Sequence, residues 1–130
     1  MKALILFLAV SLAPATVLMA EQTRFSPEFG RCMDASGGVT MAMLECISAE
    51  HEKQDARLNA AYKKLMVTLT EERKNSLREA QRAWMKFRDA YSSFLYDPDG
   101  GSIARIDANH WLMESTAIQA DQLESNIRDY

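Results

Sequence analysis

Two cysteines, two histidines and one acid–base pair are the residues of this 130-residue chain whose types and spacing could do chemistry. Cys32 and Cys46 have thirteen residues between them. A redox-active pair usually has two, so the spacing does not suit thiol–disulfide exchange. In an oxidising compartment an even pair reads as a structural disulfide, ahead of free thiols or metal ligands. Closing a loop of that size stabilises a fold by about 3 kcal/mol in the chain-entropy model. His51-Glu52-Lys53-Gln54-Asp55 lacks the second histidine of the H-E-x-x-H zinc motif, and neither a Gly-rich phosphate loop nor a G-x-S-x-G elbow occurs. His110 is the other histidine, and only Asp55 offers itself as a third ligand where zinc needs three or four. The expectation is therefore no catalytic residue, no metal, no cofactor and no enzyme. His51 and His110 are expected to be hydrogen-bonded or partly exposed.

Three amphipathic segments must position these side chains. Leu44, Ile47, His51, Asp55, Leu58, Tyr62, Leu65 and Leu69 recur at alternating steps of three and four, which places them on one helix face. Leu77, Gln81, Trp84, Arg88, Tyr91 and Leu95 do the same in a second segment. Ile103, Ile106, His110, Met113, Ala117, Ala120, Leu123 and Ile127 do so in a third. Thr70 is a suitable N-cap for the second helix, with Glu71 and Glu72 in its first turn. Asp97-Pro98-Asp99-Gly100-Gly101 ends that helix, and Ser102 can cap the next. The stretch from Phe25 to Gly38 reads as irregular, because of Pro27, Gly30 and the Ser36-Gly37-Gly38 break.

Both connections between the long segments are short, so neighbouring helices should run antiparallel. Facing residue numbers then have a constant sum. Leu58 with Trp84, Asp55 with Arg88 and His51 with Tyr91 fit a sum of 142 or 143. Tyr91 with His110, Trp84 with Ala117 and Gln81 with Ala120 fit 201. The expected fold is all-α, an antiparallel up-down-up three-helix bundle with a disulfide-tethered N-terminal arm. Leu58, Tyr62 and Trp84 are expected in its core. Asp55 and Arg88 should meet across an interface, extended by Asn59 and Gln81 into a polar network that fixes register. Orphaning one partner by Arg88→Ala should cost about 3 kcal/mol. His51, Tyr91 and His110 fall in one layer of this arrangement.

The remaining composition sets the compartment. Lys2 precedes an apolar run from Ala3 to Ala13, broken only by Ser11 and ended by Pro14. Residues 1–20 read as a secretory signal peptide cut after Ala20, or alternatively after Ala15. The run is too short for a lasting membrane span. Residues 21–130 are then a single domain of about 110 residues with a net charge near −4. Whole-chain values of −3, 48% hydrophobic and 25% charged are ordinary for a globular protein. The acidity argues against binding nucleic acid or anionic membrane.

The helical segments also carry a family resemblance. Asp55-Ala56-Arg57-Leu58-Asn59-Ala60-Ala61-Tyr62 resembles a D-x-x-L-N-x-x-Y motif. Leu77-Arg78-Glu79-Ala80-Gln81-Arg82-Ala83-Trp84, followed by Phe87-Arg88-Asp89, resembles an L-R-x-A-Q-R-A-W-x-x-x-R-D motif. Both are motifs of the lysozyme-inhibitor LprI N-terminal-like domain family. Gly100-Gly101-Ser102 is similar to the loop that follows them, and the Cys32/Cys46 spacing also fits. The resemblance implies a small exported helical protein of the bacterial envelope, periplasmic or secreted, with a lysozyme-type muramidase as partner. Many members carry a second cysteine pair, at positions that look like Ser92 and Trp111 here. Thr116-Ala117-Ile118-Gln119 stands where they usually have T-R-x-R. The expected function is a binding module, with a structural envelope protein or an immunity-like protein as the alternative. An acidic loop held by two rigid helices, Asp97, Asp99, Gly100, Gly101 and Ser102, is the candidate partner contact.

Overall fold

The computed structural model describes residues 24–129, so the signal-peptide reading lies outside the described residues. The described chain is all-α. Helix α1 spans Pro27–Ala35, α2 Thr40–Thr68, α3 Glu71–Leu95 and α4 Gly101–Asp129. The stretch expected to be irregular is therefore mostly helix. Ser26 caps α1 by accepting from the Phe29 amide at 3.3 Å. Pro27 sits in the first turn, where its missing N–H costs nothing. Gly37 and Gly38, with φ of +58° and +78°, reverse the chain into α2 in a conformation that side chains resist. Thr70 caps α3 as expected, accepting from the Arg73 amide. Ser102 does not cap α4: the helix begins one residue earlier, at Gly101, whose φ is +65°.

The three long helices alternate in direction, and Cys32–Cys46 ties α1 to α2 with Cα atoms 5.7 Å apart. Between α3 and α4 the expected register holds within about a residue. Ser92 Oγ donates to the Ala108 carbonyl at 3.2 Å, and Gln119 Nε2 donates to Gln81 Oε1 at 2.5 Å. The dominant interface is a different one. It joins the two parallel helices, α2 and α4. Its α4 side is mostly small: Ala104, Ala108, Thr116, Ala117 and Ala120 are buried, with Met113 and Leu123. Small side chains let the α2 backbone approach closely, which α3, rich in large and charged residues, does not allow. The α2 face turned inward is therefore Ile47, Glu50, Gln54, Leu58, Ala61 and Leu65. Asp55 and Tyr62 fall at its margin, half-buried. Leu58, Ala61, Leu65, Ala120 and Leu123 form the core cluster, with Tyr62, Leu77 and Trp84 packed against it. Helix α3 lies over this pair as a cover and buries only Gln81.

The shifted face brings a carboxylate inside. Glu50 is 1% exposed. It accepts from the Ser26 amide at 2.9 Å, the Ser26 hydroxyl at 2.5 Å and Gln54 Nε2 at 2.7 Å. Gln54 Oε1 in turn accepts from Arg57 at 3.0 Å. Arg57 forks onto Glu124 at 2.6 and 2.7 Å and also reaches Asp121. The hydrogen bonds it donates to Glu124 and then Asp121 hold the guanidinium firmly protonated against its partial burial. Arg24 closes the seam on Asp121 at 3.0 Å. A charge this deep is tolerable only because its oxygens are saturated with donors. Glu50→Ala leaves three donors without their acceptor and is expected to lower stability by about 3 kcal/mol in urea unfolding. Glu50→Asp, which keeps the charge but shortens the reach, should cost less.

Candidate functional site

The structure separates several groups that the spacing had joined. Asp55 and Arg88 form no ion pair. Asp55 accepts from Asn59 Nδ2 at 3.0 Å on its own helix. Arg88 pairs with its neighbour Asp89 at 2.8 Å and lies 4.9 Å from the centre of the Trp84 ring. The cause is the close α2–α4 contact, which turns this part of α2 toward α4 instead of α3. The register lock is the Glu50–Gln54–Arg57–Asp121 seam instead. The four residues expected to form one network, Asp55, Asn59, Gln81 and Arg88, are split, with Gln81 bonded to α4. Arg88→Ala should accordingly cost about 1 kcal/mol or less, because Asp89 is exposed and the stacking is the main loss. Chemical denaturation checks that value.

The histidines also part. His51 Nε2 lies 3.3 Å from the Thr116 hydroxyl. His110 meets the edge of Phe25, ring centres 6.3 Å apart. Tyr91 packs on Trp111 at 4.7 Å, the position next to the expected His110. Among the described residues no group of three His, Cys, Asp or Glu could hold a metal ion. Burial, followed by the nearby Arg88 charge, holds the His51 imidazole below the ordinary value of 6.5, against smaller opposing effects of Asp55, Glu52 and Asp89. A histidine whose folded value is lowered contributes stability that is present above 6.5 and lost as pH falls through the folded value. Thermal melts should therefore show a stability loss below pH 6.5 that flattens in His51→Gln.

What the fold does assemble is an exposed loop at the end of the bundle where α3 passes to α4. Asp97 folds the loop back on itself. Its carboxylate accepts from the Asp99 amide at 2.9 Å and its carbonyl from the Gly100 amide at 3.0 Å. A Cβ on Gly100 would sit 2.7 Å from the Ala104 Cβ, so the tight turn onto α4 needs glycine there. Asp97, Pro98, Asp99, Gly101 and Ser102 are exposed. With Thr40, Tyr96 and Arg105 the loop borders a shallow cavity of about 220 Å³, which places the start of α2 beside it. Val39 and Met41, on either side of Thr40, are exposed, as is Ile103.

An aromatic ladder continues this surface along α3 and α4. Phe87 stacks on Tyr91 at 5.8 Å, Tyr91 meets Phe94 at 5.7 Å, and Trp111 packs against both Phe87 and Tyr91. Phe94 is 75% exposed and Phe87 59%. Contiguous exposed rings of this kind mark protein-binding surfaces more often than chance exposure does. Periodicity had placed Tyr91 inside and passed over Phe87 and Phe94. Their crowding at steps of three and four around Tyr91 was the available signal. Ser92 and Trp111, the positions resembling a second cysteine pair, both lie at this α3–α4 seam. A hydrogen bond and ring packing hold it here.

The comparisons with known proteins agree with the motifs. The family described as lysozyme inhibitor LprI matches residues 32–123, more than half of the chain. No curated protein and no solved structure matches it significantly.

Proposed function

Because the chain belongs to the lysozyme inhibitor LprI family, we propose that it is an exported protein of the bacterial envelope that binds and inhibits a lysozyme-type muramidase. The family match carries this reading. The disulfide supports an oxidising compartment. No described helix is long and apolar enough to cross a membrane. The inhibitor acts by occupying its partner, and the end of the bundle carries the means. Phe94, Tyr96 and Ile103 supply apolar anchors, and the Asp97 and Asp99 carboxylates face any basic residues around a substrate groove. The loop is narrow and braced by two long helices, so little order has to be gained on binding.

A lysis assay tests this. The purified protein at micromolar concentration should slow at least one type of lysozyme. Phe94→Ser should weaken inhibition about tenfold or more, as loss of a central aromatic anchor does. Asp97→Asn with Asp99→Asn should mainly slow association and reduce its salt dependence. No inhibition across several lysozyme types would remove the proposal and leave an envelope-maintenance or immunity-like role to be sought by co-purification.

A further inference from the structure

A second feature lies away from that end, on the groove between α2 and α3. Asn59, Tyr62, Arg78, Gln81, Arg82 and Met85 line a cavity of about 250 Å³. All but Met85 belong to the two sequence motifs, yet core packing accounts for few of them, since Asn59 and Arg82 are exposed. Gln81 is the telling residue. It is the one buried residue of α3 and is 9% exposed. An amide in that position must be satisfied on both sides. Its Oε1 accepts from Gln119 of α4, and its Nε2 has no acceptor among the described residues. No sealed side-chain nitrogen or oxygen among the described residues lacks a partner, so this Nε2 is open to solvent, and Gln81 lines the groove.

The other polar groups at the groove, apart from Asn59, can all donate, and the Tyr62 hydroxyl can accept as well. The Tyr62 hydroxyl and the Arg82 guanidinium have no partner among the described residues. Arg78 spends one N–H on Asn75 Oδ1 at 2.6 Å and keeps the rest. Donors and positive charge thus converge, and no carboxylate lines the groove. Asn59 is the exception in kind. Its Nδ2 is tied to Asp55, which leaves its Oδ1 as a lone acceptor at the rim. The Tyr62 ring and the Met85 side chain give an apolar wall.

We propose that this groove binds a carboxylate carried on a small apolar group, with Arg82, Arg78 and the Gln81 amide holding the anion and Tyr62 and Met85 holding the apolar part. The volume lies below that of a site for a whole drug-sized ligand and suits a single residue. The C-terminal residue of a peptide and a free short acid share this chemistry, and Asn59 Oδ1 distinguishes them by accepting a peptide N–H. The site does not depend on the lysozyme reading, since it uses neither the acidic loop nor the aromatic ladder.

Titration of the full folded protein with N-acetyl-leucine, followed by amide and methyl NMR, tests it. Saturable shifts are expected at the Asn59 and Gln81 side-chain amides and the Met85 methyl, in the millimolar range of so small a ligand. N-acetyl-leucinamide, which lacks the charge, should bind about tenfold more weakly or worse. Arg82→Gln should weaken N-acetyl-leucine about tenfold with an unchanged melting temperature, while Lys86→Gln, one turn along α3, should leave it intact. Tighter binding of N-acetyl-leucine than of 4-methylpentanoate assigns the site to peptide termini, and equal binding assigns it to free acids. Equal binding of the amide, an equal effect of Lys86→Gln, or no saturable shift at tens of millimolar overturns the proposal.

Discussion

The close approach of two parallel helices governs this molecule. Ala104, Ala108, Ala117 and Ala120 leave room on α4 for the backbone of α2, whereas no small residue of α3 is buried. The pair α2–α4 therefore forms the body, and α3 is laid across it. A cover buries one side and leaves another open. That explains why α3, with Phe87, Tyr91 and Phe94, exposes so many rings, and why a groove remains along its contact with α2.

The same approach sets the polar chemistry. Turning Glu50 and Gln54 inward would be costly without partners, and the residues just before α1 provide them. Ser26 serves twice, capping α1 and donating to Glu50. The arm is thus held at two points, by this clamp before α1 and by Cys32–Cys46 at its far side. A covalent bond fixes which segments are near, and the hydrogen bonds fix their orientation.

The three long helices, the Thr70 cap, the α3–α4 register and the cysteine pairing were legible because each rests on local spacing or on a simple sum. The α1 helix was hidden by Pro27 and Gly30, which mark a break in most contexts but here sit in a first turn and an exposed turn. The inward face of α2 was misjudged by about one residue. Periodicity specifies a stripe but not which of two neighbours it faces, and α4 rather than α3 took that place. Asp55 was consequently read as buried where Gln54 is, and Glu50 was missed. Carboxylates look like solvent-facing residues until a donor set, here from Ser26, is known. The acidic loop was found from its composition, whereas the ladder beside it needed the fold to show which rings α3 leaves uncovered.

Two parallel helices also begin at one end. The starts of α2 and α4 both border the cavity beside Asp97. Each contributes about half a positive charge from its unpaired amides. Positive partial charge of the backbone therefore borders the same cavity as Asp97. A formally acidic tip of this kind projects a weaker field than its two aspartates suggest. Recognition there falls to shape and exposed rings, with the two carboxylates setting the rate of encounter with a basic partner more than the strength of the complex.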